Sequence, residues 1–143
     1  MHGNTIVING DDLRSIFELN KYSKLERYKN GIKFVKLLKF LSKQKVNVLF
    51  TVVGLKHSLR RYARVNIPNY IEIFIQSNLN EIIKFGKKKT YKQKKNIVGK
   101  DINAELPTKP DILIRNNFKK SIKSLSNELY FKLKNFKWHF NES

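Results

Sequence analysis

The chain has 143 residues, of which 30 are Lys or Arg and 11 are Asp or Glu, giving a formal net charge of +19. The absence of cysteine excludes a disulfide framework and a cysteine-based zinc site, and three scattered histidines suggest no metal cluster. No apolar run is long enough to span a bilayer, and the N-terminus shows no signal-peptide core. We therefore expect one soluble, cytoplasmic domain over residues 1–143, long enough to bury a real core.

The excess of positive charge predicts an anionic partner, such as a nucleotide, a phosphate or sulfate group, or a nucleic acid. However, Lys, Asn and Ile are all abundant, as expected when an AT-rich genome fills solvent positions with lysine. Charge alone therefore does not establish a nucleic-acid binder, and nucleic acid stays an open but not favoured partner.

The first predicted element is a strand over residues 6–8, because β-branched residues there run into an Asn-Gly turn. Either Asp11 or Asp12 is then placed to cap a helix over residues 12–19. This arrangement puts Asp11 and Arg14 at the carboxyl end of a strand, where open α/β sheets bind ligands. The alternative interpretation is a capped helix with a surface arginine.

Helical and strand patterns alternate along the rest of the chain. Ser23 and Glu26 have the spacing of a capping box before a long helix that ends near residue 43. The elements predicted after it are a buried parallel strand over 46–53, a helix over 56–65, a strand over 70–76, a helix capped by Ser77 or Asn78, a strand over 111–114 and a last helix with apolar residues from Phe118 to Leu133. This alternation predicts an α/β fold with a mostly parallel sheet.

A polar tract over residues 87–106 has no clear periodicity, and six lysines lie around Tyr91 between Lys87 and Lys95. A loop of this length in a compact domain is usually functional or disordered. We expect it to act as a lid-like loop that closes over bound phosphates and excludes water.

Two arginines and an asparagine have the chemistry of an anion site. Arg14 and Arg27 each offer a guanidinium fork to a phosphate or sulfate group, and Asn30 follows Arg27 on the same helical face. Asp11, at a strand end, suits a role in orienting a nucleophile or holding magnesium-bound water. Taken alone, such an arginine pair more often belongs to a solvated surface.

Several short motifs occur in a fixed order over about residues 5–133. They are Ile8-Asn9-Gly10-Asp11-Asp12-Leu13-Arg14, Tyr22-Ser23 with Glu26-Arg27 and Asn30, Arg60 and Arg64 before Asn66-Ile67-Pro68-Asn69-Tyr70-Ile71-Glu72, Lys95-Asn96-Ile97-Val98-Gly99-Lys100-Asp101, and Pro110-Asp111-Ile112-Leu113-Ile114. In this order they resemble the adenylylsulfate kinases, a branch of the P-loop kinases. The third motif resembles a sub-branch found beside surface-polysaccharide genes, which includes cytidine diphosphoramidate kinases.

The resemblance implies a three-layer α/β/α fold of the P-loop-kinase type. It also implies transfer of the ATP γ-phosphate, with Mg²⁺, to the 3′-hydroxyl of a nucleotide-like acceptor, either adenylylsulfate or a related phosphoramidate nucleotide. By position, Arg14, Arg27 and Asn30 would hold the acceptor, and Asp11 would lie near the reacting hydroxyl and magnesium. Ile97 would lie beside the acceptor's base.

The same resemblance assigns Lys88, Tyr91 and Lys95 to the lid. The family pattern also begins with a strand, a Gly-x-x-x-x-Gly-Lys-Ser/Thr loop and a helix, and the six glycines of this chain nowhere give that spacing. Because this loop cradles the β- and γ-phosphates, we expect the 143 residues to lack these three elements and to be inactive alone. The alternatives are a non-catalytic basic nucleotide- or RNA-binding module, a homodimer, or a separate chain that supplies the loop.

Overall fold

The computed structural model describes residues 4–54, 56–85 and 104–137. Its elements in chain order are β1 (Thr5–Asn9), α1 (Gly10–Ile16), α2 (Lys24–Lys43), β2 (Asn47–Thr51), α3 (His57–Asn66), β3 (Ile73–Gln76), α4 (Leu79–Phe85), β4 (Ile112–Arg115) and α5 (Ile122–Lys134). The alternation confirms the predicted α/β fold. Within these ranges, no helix combines the length and apolar character of a membrane span.

The start of α1 differs from the prediction. The Asn9 side chain accepts a hydrogen bond from the Asp11 N–H at 3.0 Å, so Asn9 is the capping residue and the assignment to Asp11 or Asp12 was wrong. The reason is that β1 ends at Asn9 and the helix begins at once. Both aspartates therefore lie in the first turn, where negative charge is favoured by the helix dipole.

The structure confirms the predicted start of α2 at Ser23. Ser23 accepts a hydrogen bond from the Glu26 N–H at 3.3 Å. The cap of α5, by contrast, is Ser121, which accepts from the Ser124 N–H at 3.1 Å. Phe118, which the pattern placed on this last helix, lies before it with a φ of 60° and is not helical.

All described strand pairs are parallel, as predicted, but they form two sheets. β1 pairs with β2, β3 pairs with β4, and no ladder joins β2 to β3 within the described residues. The helices α2 and α3 pack on each other at Gly31, where an added Cβ would lie 2.6 Å from the Leu59 side chain. A larger residue at position 31 would require the Leu59 side chain to shift.

The prediction that residues 46–53 form a buried strand was wrong in its burial. One face of β2 packs on α2 through an edge-to-face contact of Phe34 and Phe50, with ring centroids 6.0 Å apart. The opposite face is bare, and Leu49 on it is 44% exposed. The continuous apolar run over residues 46–53 therefore forms a strand that is covered on one face only.

The core is built mainly from one face of α2 and from β4. Phe34, Val35 and Leu38 are buried on the helix, and Ile112 and Ile114 are buried on the strand. These positions have the spacing expected of a helix stripe and of alternate strand residues.

Ion pairs join α3 to the residues that directly precede β3 and β4. Arg60 Nε lies 3.1 Å from Glu72 Oε1, and both side chains are largely buried. Arg64 binds Asp111 with both guanidinium nitrogens, at 2.7 and 3.2 Å, and Asp111 Oδ2 also accepts from the Glu72 N–H at 2.7 Å. Burial tends to raise the pKa of Asp111, but these hydrogen bonds outweigh it and hold that pKa below its ordinary value.

We expect Asp111→Asn to lower the free energy of unfolding by about 1 kcal/mol at pH 7, because the pair with Arg64 is partly exposed. The folded-state pKa of Asp111 is depressed, so its contribution is present above the unfolded pKa near 3.8 and is lost as the pH falls. Urea unfolding at pH 7 and pH 3 measures this. A difference between the two proteins that stays the same at both pH values would contradict it.

Candidate functional site

The carboxyl end of β1 places the first predicted site residues. β1 and β2 run parallel, so both strands end at the same edge, and α1 begins there. Gly10 allows the start of α1 to lie close to the end of β2, since a Cβ on it would lie 3.0 Å from the Val52 side chain. Asp11 lies exposed in the first turn of α1, and Arg14 follows one turn later, half-buried.

Tyr22, which precedes α2, brings Arg14 and Arg27 together. The guanidinium carbons of Arg14 and Arg27 lie 5.4 and 5.3 Å from the centre of its ring, within the range of cation–π attraction. Arg27 Nε also donates a hydrogen bond to the Tyr22 carbonyl at 3.0 Å. Tyr22 is 48% exposed, so it still has surface to offer a ligand.

Burial and neighbouring charges both act on the two guanidiniums of the cluster. Burial lowers the pKa of Arg27, the nearby charge of Arg14 lowers it further, and Tyr22 and Asp11 partly oppose this. Arg14 Nη1 is buried and has no hydrogen-bond partner among the described residues. A buried donor without a partner is costly, and an anion that accepts from it would remove that cost.

Asn30 lies one helical turn after Arg27 and is 3% exposed, the one polar residue in the described core. The structure therefore brings Asp11, Arg14 and Arg27 together and places Asn30 beside them along α2. Sequence reasoning quoted Tyr22 only as part of a motif and gave it no role. The sequence signal that could have indicated a role for Tyr22 is its position, directly before a helix cap and between two arginines.

The remaining predicted site residues, Lys88, Tyr91, Lys95 and Ile97, lie outside the described residues. Of the lid-like tract over 87–106, only residues 104–106 are described, and they have no regular secondary structure.

A second polar cluster fixes the start of α3. The N-cap residue Lys56 provides no side-chain cap, and the Glu105 carboxylate instead accepts from the His57 N–H at 2.7 Å and pairs with Lys56. The Glu105 carbonyl accepts from Arg60, whose guanidinium also lies 2.7 Å from His57 Nδ1. The hydrogen bonds from Lys56 and His57 lower the pKa of Glu105 to about 2. His57 is therefore half-buried in a structural contact.

An open cleft lies beside this second cluster and is lined by Lys24, Tyr28, His57 and Arg61, among others. Its lining residues include neither Arg14 nor Arg27, so it is distinct from the arginine cluster. Its walls carry lysine and arginine side chains, but none of the described residues places a buried donor without a hydrogen-bond partner there.

The described residues contain no group of three His, Asp or Glu side chains that would hold a metal by themselves. Magnesium that arrives with a nucleotide takes only one or two carboxylates, the rest of its ligands being water and phosphate oxygens. Asp11 at the strand end fits that smaller requirement.

Comparison with known proteins identifies the family of the chain. The sequence model of a family described as "Adenylylsulphate kinase" matches residues 1–115. The cytidine diphosphoramidate kinase of Campylobacter jejuni is 31% identical over 124 residues, which cover 83% of this chain and 72% of that protein. The chain belongs to the adenylylsulfate kinase family. The predicted family resemblance is thereby confirmed.

Solved structures confirm the fold of this adenylylsulfate kinase relative. The Mycobacterium tuberculosis adenylylsulfate (APS) kinase CysC, in complex with AMPPNP and APS, superposes with a TM-score of 0.80 at 20% identity and covers 93% of this chain and 81% of that one. The crystal structure of APE1195 gives a TM-score of 0.76, also at 20% identity, with 94% and 80% covered. The chain therefore shares the fold of these two proteins.

Proposed function

We propose that the chain provides the acceptor-binding part of an ATP-dependent nucleotide kinase, and that Arg14 and Arg27 hold the acceptor's anionic group. The observation that carries the proposal is the cluster of two arginines at Tyr22, with a buried Arg14 donor that has no partner among the described residues. Membership of the adenylylsulfate kinase family supports it.

The residues take complementary roles in this proposal. The two guanidiniums bind sulfate, phosphate or phosphoramidate oxygens, since their forks match such groups. Tyr22 holds both guanidiniums at its ring, and the buried Asn30 amide contacts the polar part of the acceptor. Asp11 orients the 3′-hydroxyl. Ile97 at the base and a lid with Lys88, Tyr91 and Lys95 follow from the family pattern.

The proposed reaction moves one phosphoryl group. The bond between the γ-phosphorus of ATP and its bridging oxygen breaks, a bond from that phosphorus to the acceptor's 3′-oxygen forms, and the hydroxyl proton leaves toward Asp11 or solvent. When bound, Mg²⁺ neutralises charge on the phosphates, and Asp11 is the described carboxylate placed to hold a water of that ion. Positioning the acceptor is the step that Arg14 and Arg27 perform.

These 143 residues contain no Gly-x-x-x-x-Gly-Lys-Ser/Thr sequence. We therefore propose that the chain, taken alone, binds the acceptor but does not turn over ATP at a normal kinase rate. Calorimetric titration with adenylylsulfate and with cytidine diphosphoramidate, followed by a transfer assay with labelled ATP and Mg²⁺, tests this. Turnover by the purified 143 residues at the roughly 1–100 s⁻¹ of ordinary kinases would contradict the dependence on such a loop.

The choice of acceptor is a finer proposal. Because the relative at 31% identity is a cytidine diphosphoramidate kinase, we expect the cytidine nucleotide to bind more tightly than adenylylsulfate. Tyr22→Ala is expected to weaken binding of either nucleotide by about tenfold through loss of cation–π contacts and of one aromatic surface. Tyr130→Ala, at an exposed position of α5, is the matched control and should leave the affinity unchanged. Equal loss in both variants would contradict a role for Tyr22.

Non-catalytic binding of RNA remains the second candidate, because exposed lysines form a stripe on α2. They are Lys29, Lys33, Lys36 and Lys43. Binding of a single-stranded RNA that weakens steeply with salt, together with no measurable affinity for either acceptor nucleotide, would favour it over the kinase.

A further inference from the structure

The short segment that follows β2 lies against the start of α1. Thr51, the last residue of β2, is the register partner of Asn9, the last residue of β1. The next residue, Val52, approaches α1 so closely that a Cβ on Gly10 would lie 3.0 Å from its side chain. Because Gly10 opens the first turn of α1, the position of residues 52–54 limits where that turn can lie.

Burial does not hold this segment in place. Val52 is 52% exposed and Val53 is 63% exposed, so neither side chain is anchored in the core. Residues 52–54 have no regular secondary structure. Beyond the last ladder pair of β2, no backbone–backbone hydrogen bond between described residues involves them. Their position therefore depends on side chains from elsewhere in the chain.

The Arg60 side chain, on α3, supplies such an anchor. Its Nη1 donates a hydrogen bond to the Gly54 carbonyl at 3.1 Å. Its Nη2 donates to the Glu105 carbonyl and lies 2.7 Å from His57 Nδ1, and its Nε lies 3.1 Å from Glu72 Oε1. All three guanidinium nitrogens have a partner, and the side chain is only 12% exposed. Because the donors of a guanidinium lie in one rigid plane, the group cannot turn without losing contacts.

These contacts join the segment after β2 to the second sheet. Glu72 directly precedes β3, so the Gly54 carbonyl is connected through Arg60 to the start of that strand. The second arginine of α3, Arg64, makes a different set of contacts. It pairs with Glu72 and with Asp111, and among the described residues it has no hydrogen bond to Gly54. The two arginines therefore share a helix and a carboxylate partner but differ in their contact with the segment.

We propose that Arg60 is a positioning residue for the acceptor site, and that it acts through the Gly54 carbonyl on the first turn of α1. A charge-assisted hydrogen bond from Arg60 holds an exposed segment that burial does not hold. That segment in turn lies against Gly10, at the start of the helix that carries Asp11 and Arg14. Arg60 has no described contact with the arginine cluster, so its effect on the acceptor is indirect.

This inference rests on the proposed acceptor binding, and the test compares Arg60→Lys with Arg64→Lys in the full 143-residue chain. Each substitution keeps the charge and removes a planar guanidinium, but only Arg60 bonds to Gly54. We expect Arg60→Lys to weaken binding of adenylylsulfate and of cytidine diphosphoramidate by about tenfold in calorimetric titration, because an ammonium group cannot keep several fixed contacts at once. Arg64→Lys should lower thermal stability yet change either affinity by less than about twofold.

Backbone dynamics provide a readout that a loss of stability alone would not change. Nitrogen-15 relaxation, recorded by NMR without nucleotide, gives the order parameters of residues 52–54. We expect values of about 0.85 in the parent chain and in Arg64→Lys, and values below about 0.6 in Arg60→Lys. Arg60→Gln keeps an amide donor without the guanidinium fork, and it serves as the second variant if circular dichroism shows that Arg60→Lys is not folded.

The outcomes separate this inference from the proposed function. Equal order parameters in all three proteins, or equal losses of affinity in the two lysine variants, would overturn the role of Arg60. If the parent chain bound the nucleotides and Arg60→Lys bound them equally well, only that role would be wrong. If the parent chain bound neither nucleotide, the proposed function would fail, and order parameters that fell in Arg60→Lys alone would still support Arg60 as the residue that holds residues 52–54.

Discussion

Replacing Phe34 with alanine is expected to lower the free energy of unfolding by about 3–5 kcal/mol, as for other buried phenylalanines. Phe34 is 3% exposed on α2 and contacts Phe50 of β2 edge to face. The substitution removes the edge-to-face contact between α2 and the first sheet and leaves a cavity there. Urea unfolding followed by circular dichroism measures the change.

Phe40→Ala is the matched control, because it changes the same residue type on the same helix at a position that is 60% exposed. Its effect should stay within about 0.5 kcal/mol. If both variants lost the same stability, α2 would not pack on the sheet with the face described. Phe34→Leu, a milder change, keeps the comparison measurable if the alanine variant does not fold.

Replacing Arg27 with alanine is expected to weaken binding of the acceptor nucleotide on the order of 10–100-fold, because one charge-assisted contact contributes about 1.5–3 kcal/mol. Arg27 lies at the Tyr22 ring with Arg14. The pKa of Arg27 is lowered mainly by burial and further by the charge of Arg14. Removing it also leaves Arg14 as the cluster's remaining arginine. Isothermal titration with each acceptor nucleotide measures the loss.

Lys33→Ala removes the same unit of charge from an exposed position of the same helix. It should change the affinity by less than about twofold at physiological salt, since exposed charges are screened there. Conversely, Arg27→Lys should restore only part of the affinity, because an ammonium group cannot make a two-point contact. Equal losses from Arg27→Ala and Lys33→Ala would show that net charge, not the arginine cluster, holds the nucleotide.

The order and direction of the elements could be predicted from the sequence because they depend on local signals. Ser23 and Glu26 marked the start of α2, and the β-branched runs marked strands that proved to be parallel. Arg14, Arg27 and Asn30 were predicted as site residues from helical spacing and from the family resemblance. The structure brings the two arginines together at Tyr22, and Asn30 follows Arg27 by one turn of α2.

Burial and long-range partners could not be predicted in this way. The apolar run around Leu49 has the same pattern whether a second layer covers it or not, so its exposure appears only in three dimensions. Glu105 meets the start of α3 across 48 residues of sequence, and no local rule indicates such a contact. The cap of α1 was misplaced by two or three residues because Asn9 serves both as the last strand residue and as the cap.

The most direct test of the account observes the Nε–H groups of Arg14 and Arg27 by NMR while an acceptor nucleotide is added. We predict that both signals shift in a saturable way with one common affinity, and that the signals of exposed lysines on α2 do not follow them. Shifts confined to those lysines, or no shift at either arginine at a saturating nucleotide concentration, would contradict an acceptor site built on Arg14, Tyr22 and Arg27.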